Sequence, residues 1–174
     1  MSATAFTDIE ARAVSLLQGD TADYFDDISI LVASKGSVMQ NVNQRLGLID
    51  PTKNQDGKVG LCVLVAVRGA SALPLSGSAA KARVGAAVVC AVLENPAINN
   101  TNGPKRAIDV AGQVVRVMNG QPINASVSRA SAVQRFIMAE PAIQQIQSEA
   151  DQVTLYGVTG ATVYHVNWQV QVNL

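Results

Sequence analysis

The sequence predicts an α/β (α+β) sandwich, a single domain over 1–174 with one mixed, largely antiparallel sheet flanked by helices. Three patterns predict it. Two near-continuous apolar runs, 59–67 and 84–93, read as strands covered on both faces. In the C-terminal stretch 161–173, Tyr164, Val166, Trp168, Val170 and Val172 alternate with His165, Asn167, Gln169 and Gln171, which is the period of a strand. Helical periodicities fall between such strands without strict alternation, which disfavours a doubly wound parallel sheet.

The first element is a helix over 8–18. It opens on a capping box at Thr7 and Glu10, aligns Phe6, Ile9, Ala13, Leu16 and Leu17, and stops at Gly19. A β-branched strand follows at 28–33. A second amphipathic helix over 37–46 carries Val38, Val42 and Leu46 and ends at Gly47. The turn-rich loop 50–57 leads to strands at 58–68 and 80–94. Between them, the small residues of 69–79 read as a mobile loop, and 97–103 as a second one. Pro104 is placed at the first position of a third helix reaching Met118, with Ile108, Ala111, Val115 and Met118 on one face and Asn119-Gly120 as its stop. Over 124–150 the pattern weakens: 132–138 suits a strand and 141–148 a helical turn or two. Val153 to Tyr156 reads as a strand, and 157–160 as a turn before the last strand.

The composition narrows the function. Thirteen basic and 13 acidic residues cancel, only 15% of residues are charged, and mean hydropathy is +0.20. Ordinary globular chains carry roughly 25% charge, so this chain has more apolar surface than a small monomer hides easily, which points to oligomerisation. With no basic excess or basic stripe, phosphate-driven nucleic-acid binding is disfavoured. The apolar runs are too short to span a bilayer, and the N-terminal residues lack the pattern of a secretory signal, so cytoplasmic synthesis is expected. Cys62 and Cys90 sit inside apolar runs and read as buried, reduced thiols.

The residues that carry catalysis elsewhere do not combine here. His165 is the single histidine, and its place on the polar side of a strand reads as a surface or interface position. One histidine and two strand-embedded cysteines offer no metal-ligand spacing, so no metal and no cofactor are expected. Ser78 and Lys81 have the spacing of acyl-serine enzymes without the companion motifs, and no glycine-rich phosphate loop is present. No catalytic residue is assigned.

Several stretches together resemble the tail terminator and tail completion proteins of long-tailed bacteriophages. They are Ala33-Ser34-Lys35-Gly36-Ser37 before a helix ending Leu46-Gly47-Leu48, then Val92-Leu93-Glu94-Asn95-Pro96 with Asn99, and Gly103-Pro104-Lys105 before a helix ending at Asn119-Gly120. The resemblance covers about 30–120 and, weakly, the last strand. It implies a non-enzymatic virion protein that forms a homo-oligomeric, hexameric ring at the head-proximal end of the tail tube. Such a ring ends tube polymerisation and offers a surface for the head connector. Its expected contacts are the tail tube protein, then sheath and head-tail connector proteins, while DNA passes through the lumen without specific binding. Assembly in the host bacterial cytoplasm, residence in the virion and no membrane contact follow. The rivals are a neck, head-to-tail adaptor or baseplate part, or a small intracellular enzyme.

No motif carries the family's contact surfaces, so the candidate interaction residues come from this chain alone. They are Leu73 and Leu75 in the first loop, Asn99, Asn100 and Asn102 in the second, and Trp168 on the last strand. The polar, uncharged face of the last strand suits a position lining or flanking the ring; the alternative, a lumen lined by Asp20, Asp23, Asp26 and Asp27, would repel DNA and serve its passage equally well.

Overall fold

A computed structural model describes residues 5–20, 24–25, 30–34, 46, 60–72, 83–97, 105–124 and 134–173. Among them are three helices and a five-stranded sheet of order β1-β2-β3-β5-β4. The strands are β1 (Leu31–Ser34), β2 (Leu61–Ala72), β3 (Arg83–Glu94), β4 (Ile137–Ile146) and β5 (Thr162–Asn173); the helices are α1 (Ala5–Gln18), α2 (Ala107–Met118) and α3 (Glu149–Tyr156). Only the β1–β2 pair is parallel, so the predicted mixed, largely antiparallel sheet flanked by helices is what the chain forms.

The alternation of β2, β3 and β5 builds two cores. On the first face α1 and α2 cover Val63, Val65, Val88, Cys90, Val166 and Trp168. On the second, Cys62, Leu64, Leu93 and Val163 are buried with Leu46, Tyr156 and Val158. The parallel β1–β2 pair requires a crossover, and Leu46, the buried described residue of that connection, lies on the second face. The predicted helix 37–46 lies otherwise outside the described residues, as does the loop 50–57.

Helix α1 begins by Ala5, so Thr7 is an exposed residue inside it rather than its cap. Glu10 does different work: its carboxylate accepts the Val67 N–H at 2.8 Å, where the register of β2 against β3 slips between Val67 and Gly69. At the other end, a Cβ on Gly19 would lie 2.9 Å from the Ser15 carbonyl oxygen, closer than a side chain tolerates. The helix ends there, as expected.

Helix α2 begins at Ala107, so Pro104 is not its first residue. The missing cap comes from another element: Glu94, 2% exposed at the end of β3, accepts the Ala107 N–H at 2.8 Å and pairs with Arg106 Nε at 3.2 Å. The buried face also differs from the predicted one. Ala107, Val110, Ala111, Val114 and Met118 point inward, Val115 is half-buried, and Ile108 is 47% exposed. The residue after β3, Asn95, is structural too, donating to the Leu46 carbonyl at 2.7 Å and accepting from Ala97 N–H.

Three further expectations are corrected. Residues 69–72 are not loop but the end of β2, paired with Val84 to Ala87 of β3; 73–79 and 98–103 lie outside the described residues. The ladder of the neighbouring strand decides this, because small residues have little strand preference of their own. The stretch 141–148 is mostly strand rather than helix, with Glu140–Pro141 a cis peptide bond inside β4. Pro141 is accommodated because β4 is an edge strand whose pairing with β5 breaks between Met138 and Ile143. Val153 to Tyr156, read as a strand, belongs to α3. That helix is capped by Ser148, which accepts the Asp151 N–H, and closed by Gly157 in the left-handed conformation, φ 64°.

Candidate functional site

Among the described residues, the second face of the sheet is covered over only part of its length. Where β2, β3 and β5 run past the bulge, Gly69, Gly85 and Ala87 leave a shallow floor, and Gln169, Gln171 and Ile137 stand around it. The groove holds about 450 Å³, and every residue lining it is uncharged. It exists because side chains of one carbon or none cannot fill the space above a sheet. The Gln171 side-chain oxygen is buried there without a hydrogen-bond partner. Ile137 is 48% exposed and Met138, pointing to the opposite face of the same edge strand, 40%.

Toward the covered half lies a polar cluster. Arg68, exposed at the bulge, donates from Nη2 to the Tyr156 hydroxyl at 2.7 Å and lies over the Tyr156 ring, 5.9 Å from its centre. The hydroxyl is 2.6 Å from His165 Nε2, itself 3.4 Å from Arg68 Nη2. Arg68 has only donors, so the consistent arrangement has Tyr156 O–H donating to an unprotonated Nε2. The expectation of a surface or interface histidine is thus corrected: His165 is 3% exposed. Period two correctly separates the two faces of β5, but it says nothing about what covers the second. There α3 brings Tyr156 over the histidine.

Burial is the main reason the Tyr156 hydroxyl is pushed up to about 12, with Arg68 pulling it down and Cys90 adding to the rise. Burial likewise pushes the Cys90 thiol up to about 12, against a smaller opposing pull from Trp168. A tyrosine so held is a poor proton acceptor near neutrality, and neither group is a ready nucleophile. The consequence is for stability. In the unfolded chain these groups ionise near 10.0 and 9.0, whereas the folded chain keeps their protons up to about 12. Their contribution is therefore complete below about pH 9 and is lost as pH rises toward 12, each tenfold difference in proton affinity between the folded and unfolded chain being worth about 1.4 kcal/mol. Urea denaturation across this range is expected to show stability falling above pH 9, with a shallower fall in Tyr156→Phe. A profile equally steep in that variant would remove Tyr156 from the account.

Of the residues expected to make contacts, Leu73, Leu75, Asn99, Asn100 and Asn102 lie outside the described residues. Trp168 is described and is no surface residue. It is 1% exposed, on the first face of β5, with its ring edge-on to Phe136 at 6.3 Å. Its indole N–H reaches no acceptor, although it lies near enough to Cys90 to influence the thiol. Cys62 and Cys90 are buried and form no disulfide, as expected, and Asp20 accepts from Gln113 of α2 at 3.1 Å. Among the described residues no group of His, Cys, Asp and Glu side chains is arranged to hold a metal ion, and no helix is long and apolar enough to cross a membrane.

Sequence reasoning missed the groove and the Arg68–Tyr156–His165 cluster. The repeated small residues at 69–72 and 85–87 were the available signal for the groove. Nothing local in the sequence joins Arg68 to residues 88 and 97 positions away. No family model matches the chain, and no curated protein sequence matches it.

Proposed function

We propose that this chain is a structural ring subunit of a long-tailed bacteriophage, placed at the head-proximal end of the tail tube, where it halts polymerisation and presents a surface for head attachment. The observation that supports it most is the uncharged groove on the second face, bordered by an edge strand with two exposed apolar side chains. Such surface suits contact between protein subunits better than phosphate recognition or catalysis. The two sheet edges also differ: β1 is a four-residue parallel edge and β4 a ten-residue antiparallel one. Unlike edges favour a heterologous contact, the kind that closes into a ring. The place proposed in the virion rests on the resemblance read in the sequence of 30–120. In this reading the subunit works by contact, is assembled in the bacterial cytoplasm, stays in the virion, and lets DNA pass without gripping it.

The test is the mass of the purified chain by light scattering, with and without tail tubes of its own system. A hexamer-sized ring is expected, or a monomer that becomes a ring on tubes and stops their growth. A monomer that leaves tube length unchanged would overturn the terminator assignment.

A further inference from the structure

Both halves of a complementary contact lie on this one chain. The first half is the groove with Arg68 next to it: an uncharged hollow of about 450 Å³ and an exposed guanidinium fixed at one edge by Tyr156 and His165. The second half is the start of β4, where Met138 is 40% exposed and Glu140 is at the surface. Among the described residues neither Arg68 nor Glu140 has an ion-pair partner.

We infer that the groove and Arg68 of one protomer receive the Met138 to Glu140 edge of a second copy, Met138 seating above Gly69 and Ala87 and the Glu140 carboxylate meeting Arg68. The inference rests on the reading of the chain as a ring subunit and names the surfaces that close the ring. Arg68 directly precedes Gly69 of the groove floor, and Met138 and Glu140 lie two residues apart on β4. A flexible thioether suits a hollow with a floor of small residues. An arginine already held by its neighbours loses little freedom on gaining a carboxylate, and its planar fork accepts one in bidentate geometry. The second copy is favoured over an unrelated partner because the missing charge and the missing apolar knob are supplied together, two residues apart, by the same sequence. The two surfaces are different, so each protomer donates one and receives one, and the contact propagates head to tail.

Two variants separate the surfaces. Glu140→Arg spoils the edge and leaves the groove intact; Ala87→Trp, at an exposed position, fills the groove and leaves the edge intact. Light scattering, at a protein concentration raised until wild type forms its closed oligomer, is expected to show each variant alone as a monomer. An equimolar mixture of the two is expected to give dimers and nothing larger, since one intact edge then meets one intact groove. Dimers in the mixture also show that both variants are folded. Variants that each assemble like wild type, or a mixture that stays monomeric, overturn the inference and leave the ring reading standing. A wild type that remains monomeric with and without tubes overturns both.

Discussion

Replacing Trp168 by alanine is expected to cost about 3–5 kcal/mol of folding stability, the range for removing a large aromatic from a packed core. Trp168 is the largest fully buried side chain, seated between the sheet and α2 in the first core and edge-on to Phe136. The surrounding side chains of the first core are held by the sheet and its two helices, so they collapse only in part into the hole. Trp168→Phe is expected to be far milder, about 1–2 kcal/mol, because it keeps most of the apolar volume and removes an indole N–H that has no acceptor. Denaturation followed by circular dichroism measures both, the single tryptophan being unusable as its own reporter. An alanine variant of normal stability that fails to assemble would return Trp168 to the role of contact residue.

Glu94→Ala is expected to cost about 2–4 kcal/mol. The carboxylate is almost wholly buried and serves two groups, the first N–H of α2 and the Arg106 guanidinium. Its removal strands a buried backbone donor and takes away the helix cap, losses of about 1–3 and 0.5–2 kcal/mol that overlap in part. Arg106→Ala is expected to cost under ~1 kcal/mol, since its side chain is half exposed and water screens the pair. Thermal denaturation of both variants gives the comparison. Equal losses would mean that the ion pair, rather than the cap, holds α2 to β3.

Much of the architecture was legible. The apolar runs that became β2 and β3, the alternation of β5 and the amphipathic pattern of α1 are local signals repeated over ten or more residues. What failed was short or depended on a distant partner. Helix α3 has only eight residues with two of them buried, and Val153 on it is 48% exposed, so no apolar stripe marked it. Its Ser148 and Asp151 spacing was the cue that went unused. Strand β4 carries a proline and a break in register, which dilute its period while its partner β5 holds it in the sheet.

By itself the sequence determined the class of fold, the alternation of β5 and the burial of both cysteines, because hydrophobic periodicity acts through nearest neighbours along the chain. Only the tertiary structure decided which polar residues are surface and which are core. It put Glu94 at the start of α2, laid Tyr156 and Arg68 over His165, and lined a groove with the small residues of β2 and β3. The physical reason is that a strand's period assigns each side chain to a face, while the layer packed on that face comes from residues tens of positions away.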